Sequence, residues 1–261
     1  MMGSIYVIGD IHGEYDKLAR LLKDAGLIDD TLHWSGGYTA LWFLGDFVDR
    51  GPDGVGVVDL VMRLQAEAEE AGGKVGALLG NHEPVILSAL WLPDQPCGGP
   101  GGTFYSNWKF NGGIDTDLGR LTARHTEWLT ALPALARVGD WLLMHANSSA
   151  YTRYGSTIEE ANAAFSQVLH GRAVAAWDRL TGDFNREFGD HKPDGHEKVS
   201  LVLDTYGAKR LVHGHTIISN WTKQPPESVT GALVYDGGRC VNVDAGMFEG
   251  SPGFLYKLPL V

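Results

Sequence analysis

Short apolar runs recur along the chain, each closed by a glycine or a polar cluster. "SIYVIG" opens onto "DIHG", "TALWFLG" onto "DFVDRG", "KVGALLG" onto "NHE", "DWLLM" onto "HANSS" and "AKRLVHG" onto "HT". Apolar runs of roughly 4–8 residues bounded in this way read as buried strands. Between the first three runs the period changes. Leu18, Leu21 and Leu22 recur on one face of residues 14–25, and Val57, Val58, Leu60, Val61 and Leu64 do the same within 55–71. This alternation predicts βαβ units, with parallel strands and right-handed crossovers. Ligands of such sheets gather outside the carboxyl ends of the strands, so the five polar clusters are expected to meet in space. Three further short strands are predicted around 229–235, 239–243 and 253–258.

Two stretches break the pattern. Residues 92–103, "LPDQPCGGPGGT", are rich in proline and glycine and read as a loop. They lead into "FYSNWKFNGG", an aromatic stretch suited to a wall beside a site; Trp91, Phe104, Tyr105 and Trp108 there read as core or wall. Gly98, Gly99, Gly101 and Gly102 are not followed by Lys-Ser/Thr, so a flexible loop is the better reading than a phosphate cradle. The second break, 181–198, is polar, and its His191 and His196 are expected to be solvated. The chain is therefore expected to be one domain over 1–261, with surface insertions near 92–118 and 181–198.

Composition narrows the classes. At 261 residues, 44% apolar and 20% charged, the chain has the make-up of an ordinary globular domain with a full core. Its formal net charge of −11 argues against gripping a nucleic-acid polymer, which requires many lysines and arginines. The two cysteines, Cys97 and Cys240, form no CxxC pair, so neither a thiolate zinc site nor a disulfide framework is expected. No apolar run approaches the length of a membrane span, and the amino terminus runs straight into "SIYVIG", so no leader is expected. The expectation is a cytoplasmic protein without a membrane partner.

The strand-end groups are Asp10, His12, Asp46, Asp49, Arg50, Asn81, His82, Glu83, His145 and His215. Aspartate, histidine and asparagine without cysteine suit manganese, iron, zinc or magnesium. Asp10 and His12, two apart in an extended segment, reach the same side. The ligands are too many for a single ion. A pair of ions about 3.5–4 Å apart, sharing a carboxylate, accommodates them better.

"GDIHG", "GDFVDRG" and "GNHE" in that order, followed by the later histidine and Gly-His elements, resemble the calcineurin-like metallophosphoesterases. The likeness is strongest to the phosphoprotein phosphatase branch, with its bacterial and phage members and the symmetric dinucleoside tetraphosphatases. It spans residues 5–246, and steps of about 35 residues separate the first three motifs. The last motif reads Gly214-His215-Thr216-Ile217 rather than Gly-His-x-His, which also favours that branch. "VNVDAGMFEG" stands where the eukaryotic members carry a different loop, and "WKFNGGIDT" is similar to a segment of bacterial tetraphosphatase-like relatives.

The resemblance implies an α/β fold with a central two-sheet β-sandwich flanked by helices, and two divalent metal ions. Manganese is foremost, with iron, zinc, cobalt, nickel or magnesium as alternatives. Asp10 and His12 would hold the first ion, Asp46 would bridge, and Asn81, His145 and His215 would complete the second. Arg50 and Asn81 would grip phosphate oxygens, His82 paired with Asp49 would be the general acid, and Arg179 would be a second phosphate-binding arginine. Hydroxide generated on the metals would attack phosphorus directly, with no covalent phosphoenzyme. The implied activity is that of a phosphomonoesterase or Ser/Thr protein phosphatase, acting on a phosphoprotein, a small phosphate ester or a nucleotide. A symmetric dinucleoside tetraphosphatase is the alternative, and a non-catalytic metal-binding module is a third reading. Asp53 reads as a helix N-terminal carboxylate, and Glu83 as a support for its loop. His213 is expected on the same side of its strand as His215, with its role open.

Overall fold

The structure, a computed structural model, describes residues 3–184, 188–189 and 192–259. Predicted strands and helices form where the pattern put them. β1 (Ile5–Ile8), β2 (Ala40–Phe43) and β3 (Lys74–Ala77) are linked by α1 (Tyr15–Asp24) and α2 (Gly54–Glu70). β1 pairs β2 in parallel with Ile5 opposite Ala40, and β2 pairs β3 in parallel with Ala40 opposite Lys74. α1 buries Leu18, Ala19 and Leu22, and α2 buries Val57, Val58, Leu60, Val61, Leu64 and Ala68. Asp53 caps α2, its carboxylate accepting from Gly56 N at 2.9 Å, a contact typically worth about 1 kcal/mol.

Next come α3 (His82–Trp91), α4 (Phe104–Phe110), α5 (Asp115–Arg120), α6 (Ala123–Ala131) and, beyond two strands, α7 (Ile158–His170). Those strands are β4 (Leu135–Val138) and β5 (Trp141–Met144). α8 (Val174–Asp183), α9 (Gly195–Tyr206), β6 (Arg210–His213), α10 (Ile218–Thr222), β7 (Leu233–Tyr235), β8 (Cys240–Asn242) and β9 (Tyr256–Lys257) complete the order.

The strands form two sheets, ordered β3-β2-β1-β9 and β4-β5-β6-β8-β7. β5, β6 and β8 run parallel to one another, while β4, β7 and β9 pair antiparallel with their neighbours. One continuous core draws side chains from both sheets, among them Val7, Leu41, Phe43, Leu142, Leu143 and Val212. Periodicity predicted the parallel strands but not β4, whose "LARV" buries only Leu135 and carries no continuous apolar signal.

The sheets meet at the carboxyl ends of β1 and β8. A Cβ on Gly9 would lie 2.5 Å from Val243 O, so only glycine allows the two backbones this close. Ile11 N and His12 N both donate to Asp46 O, at 3.1 and 2.9 Å, joining the loops after β1 and β2. Gly214 N donates to His145 O at 2.8 Å, joining those after β5 and β6. Among the described residues no helix is long and apolar enough to cross a membrane.

Candidate dimetal active site

Six strand ends supply the site. β1 delivers Asp10 and His12, β2 delivers Asp46, Asp49 and Arg50, β3 delivers Asn81 and His82, β5 delivers His145, β6 delivers His215, and β8 delivers Asp244. Among the described residues eight non-glycine positions have positive φ, and five of them are His12, Asp46, Asp49, Arg50 and His215. Left-handed backbone at such residues is costly, and it persists where surrounding contacts over-determine it. Here it turns each side chain out of its strand and into one cluster.

The imidazoles are oriented from behind. His12 Nδ1 bonds Val48 O at 3.0 Å and His145 Nδ1 bonds Leu44 O at 3.0 Å. A carbonyl only accepts, so both Nδ1 atoms carry the proton and both Nε2 atoms present a lone pair, as metal-binding histidines require. His12 Nε2 lies 3.4 Å from Asp46 Oδ2 and 3.9 Å from Asp10 Oδ2. His145 Nε2 lies 3.5 Å from Asp46 Oδ2 and 2.9 Å from Asn81 Oδ1, with His215 Nδ1 2.8 Å from that same amide oxygen. Asp10 accepts from His215 N at 3.0 and 3.2 Å, so the carboxylate is held by the opposite sheet. Two sets of ligand atoms, from His12, Asp46 and His82 and from Asp46, His145 and His215, each fall within 4.8 Å of one another. Asp46 is common to both. Lone pairs of carboxylate, imidazole and amide converging in a dry site repel unless a cation or protons lie between them. The donor set thus fits divalent metals.

Burial and charge act on these groups together. Burial, with Asp244 and Asp46 nearby, pushes Asp10 well above the usual carboxylate range. Burial opposes ionisation of Asp46 too, but His145, His82 and His12 outweigh it and hold Asp46 low. Burial lowers His12 and His145, and takes His215 down to about 3.

His82 differs from the other histidines. Its Nδ1 faces Asp49 Oδ2 at 2.8 Å, and its backbone N donates to Asp46 Oδ1 at 2.8 Å. The ring is 0% exposed, and its Nε2 is buried without a hydrogen-bond partner among the described residues. Burial pulls its pKa down, but Asp46 and Asp49 reverse this and raise it. Arg50 stacks over Phe248, 4.5 Å from the ring centroid, and its Nη1 lies 2.9 Å from His12 Nε2.

Glu83 supports the loop. Its carboxylate accepts from Asp46 N at 3.0 Å, Phe47 N at 2.8 Å and Gly80 N at 2.7 Å. Burial and Asp46 raise its pKa to about 8, against the pull of those amides. Glu83→Ala would leave three buried N–H groups unpaired, each costing about 1–3 kcal/mol. A loss of at least about 3 kcal/mol is expected in urea denaturation; a loss below about 1 kcal/mol would remove Glu83 from this supporting role.

Other positions lie further out. Arg179, on α8, is exposed and makes no hydrogen bond or ion pair among the described residues. It shares with Asn81, Phe110, Arg153 and Asp183 a cleft of about 640 Å³, which Gly98 and Gly99 also line. His213 does not join the cluster: its Nε2 meets Tyr235 OH at 2.8 Å, and Trp221 lies beside it. The left-handed turn at His215 breaks the strand alternation that would have put the two histidines on one side. His196 is exposed and sits 2.7 Å from Asp236, before β8 and away from its carboxyl end; His191 lies outside the described residues. Three contributors were not read from the sequence as site residues. Asp244 is buried beyond β8, and burial raises it to about 7. The repeated signature of strand then aspartate in "VNVDAG" was its signal. Asp117 accepts from Asp49 N, Gly54 N and Val55 N, and Trp108 donates to Asp49; no local pattern announces either.

A sequence profile described as calcineurin-like phosphoesterase matches residues 3–219. The chain belongs to the calcineurin-like phosphoesterases. This family membership makes it a metallophosphoesterase of the phosphatase kind and implies a dimetal centre. A curated relative, Shewanella-like protein phosphatase 2 of Arabidopsis thaliana, is 42% identical over 94% of this chain and 72% of its own length. The symmetrical bis(5'-nucleosyl)-tetraphosphatase of Neisseria meningitidis is 28% identical over 66% of this chain and 58% of its own length. Among solved structures, the cold-active protein-tyrosine phosphatase of a psychrophilic Shewanella species superposes with a TM-score of 0.73 at 22% identity, covering 98% of this chain and 75% of that one. At that identity the likeness speaks for the fold, and the two-sheet calcineurin-like architecture is what the two share.

Proposed function

We propose that this phosphoesterase is a dimetal phosphomonoesterase acting on phosphorylated protein side chains. The observation that carries the reading is the His82–Asp49 pair, buried beside the shared carboxylate Asp46, with the lone pair or proton of His82 Nε2 committed to no group among the described residues. Asp10, His12 and Asp46 would hold one ion, and Asp46, Asn81, His145 and His215 the other. Manganese is the metal proposed first, supported by oxygen and nitrogen donors without a thiolate. Bound divalent cations would supply Lewis-acid charge and lower the pKa of water near neutrality.

The chain's own residues would do the rest. Arg50 would offset charge on the phosphoryl oxygens, which is where charge gathers in phosphoryl transfer, and Asn81 would grip one of them through its amide N–H. Arg179 lines the same cleft as Asn81 and would be a second phosphate-binding arginine. His82 Nε2 delivers a proton to the leaving oxygen, and Asp49 stabilises the imidazolium from behind. The identity to a named protein phosphatase over 94% of the chain supports a phosphoprotein over a dinucleotide. Phe110, 72% exposed on the cleft, favours the second reading, because it offers a face on which a base can stack. Comparing kcat/KM with manganese on a phosphopeptide, a nucleotide monoester and a dinucleoside tetraphosphate decides between them. Preference for the tetraphosphate would overturn the first reading.

The chain is read as one domain over 1–261, with insertions near 92–118 and 181–198. Cytoplasmic residence is proposed on the strength of two unbridged cysteines. Gly98 N is tied to Asp178 Oδ1 at 2.7 Å, which brings the 97–102 loop to the cleft wall. Deleting 97–102 is expected to change the ranking of large substrates while sparing activity on a small aryl phosphate. Equal losses on all substrates, with an unchanged thermal melt, would show that the loop does not face the substrate.

A further inference from the structure

We infer that Trp108 is a positioning residue for the proton donor, acting through Asp49; this rests on the reading of His82 as general acid. Trp108 lies on α4, fully buried, and its Nε1 donates to Asp49 Oδ1 at 2.8 Å. The other oxygen of the same carboxylate, Oδ2, faces His82 Nδ1 at 2.8 Å. An indole N–H can only donate, so it fixes which Asp49 oxygen is left for His82. The result is a three-membered chain from indole to carboxylate to imidazole, wholly out of water, where such bonds hold geometry most firmly.

The indole is itself locked. A Cβ on Gly113 would lie 2.3 Å from the Trp108 ring, so the backbone after α4 is pressed against it. Tyr105 packs at 5.4 Å between centroids, and Lys109 Nζ lies 5.2 Å above the ring. The same segment grips its target twice more. Gly112 O accepts from Arg50 N at 3.0 Å, and the Asp117 carboxylate accepts from Asp49 N at 3.3 Å. Asp49 and Arg50 are both left-handed, with φ of 66° each, so this dipeptide needs outside support to keep its shape. The aromatic stretch is thus a brace for the catalytic loop as well as a wall of the cleft.

The test replaces that N–H alone. Trp108→Phe removes it with some loss of volume. Incorporating 3-(3-benzothienyl)alanine at position 108 exchanges NH for sulfur in a ring of nearly the same shape, and covers the case in which Trp108→Phe does not fold. Full-length protein is assayed with manganese on a phosphoserine peptide and on p-nitrophenyl phosphate. General-acid catalysis is worth about 10²–10⁴-fold, and losing a group that only orients the acid should cost part of it, roughly tenfold to a hundredfold. The expected result is that loss in kcat on phosphoserine, with KM unchanged, a change under about threefold on nitrophenyl phosphate, and unaltered metal content. In a His82→Asn background the benzothienyl substitution should have no further effect. If His82→Asn is selective for phosphoserine but the position-108 variants are not, the inference about Trp108 fails while the acid assignment stands. If His82→Asn shows no such selectivity, both fall.

Discussion

Asp46→Asn is expected to lose bound metal and reduce activity on every substrate to near background. Asp46 Oδ2 lies 3.4 Å from His12 Nε2 and 3.5 Å from His145 Nε2, so one oxygen faces both ligand sets. Its other oxygen accepts from His82 N at 2.8 Å, which fixes the carboxylate plane. Replacing it with an amide would remove the negative charge that would serve both cations in a buried site, where like charges are screened least. Asp10→Asn should be milder, because Asp10 would serve a single ion whereas Asp46 would offset the charge of two. Elemental analysis after dialysis measures the effect directly. Two ions per chain in Asp46→Asn, at the affinity of the unmodified protein, would refute the bridging assignment.

The second large effect is expected at His82. His82→Asn should keep both metals and lose about 10²–10⁴-fold on phosphoserine, while changing nitrophenyl phosphate hydrolysis far less. The reason lies in the leaving group. Nitrophenolate departs readily without a proton, whereas a serine alkoxide does not. Asp49→Asn should follow the same pattern more mildly, since Asp49 orients and stabilises the imidazole without touching the leaving oxygen. His145→Asn should contrast with both, losing metal and both activities together. The geometry makes this a sharp test, because His82 also falls within 4.8 Å of ligand atoms from His12 and Asp46. Loss of one ion in His82→Asn would make His82 a ligand and overturn its assignment as proton donor.

Much of this architecture was legible along the chain because its information is local. An apolar run of four to eight residues ending in glycine and charge reports a buried strand and the place where it surfaces. All five runs noted in the sequence became strands, and at least one polar residue after each reached one cluster. α1 and α2 were legible for the same reason, their buried positions recurring at helical spacing. The ligand candidates Asp10, His12, Asp46, Asn81, His145 and His215 stood out because charged and polar groups at strand ends need a partner.

What lay beyond the sequence is non-local. Nothing in "FLYK" says that β9 pairs antiparallel with β1, some 250 residues earlier, and not with β8 beside it in sequence. Nothing in "LARV" separates an edge strand from a loop. His213 and His215 share a strand parity, yet a single left-handed residue sends one to the cluster and the other to Tyr235. Trp108 could be read only as apolar bulk, because its hydrogen bond to Asp49 spans 59 positions and depends on how α4 packs. The sequence by itself determined the strand ends, the residue types gathered there and hence the class of chemistry. The tertiary structure decided which sheet each strand joined, which oxygen of Asp49 faces His82 and which buried groups brace the site. Periodicity encodes how each residue meets its near neighbours, whereas pairing and hydrogen-bond partners across the core are chosen only when distant segments compete for the same space.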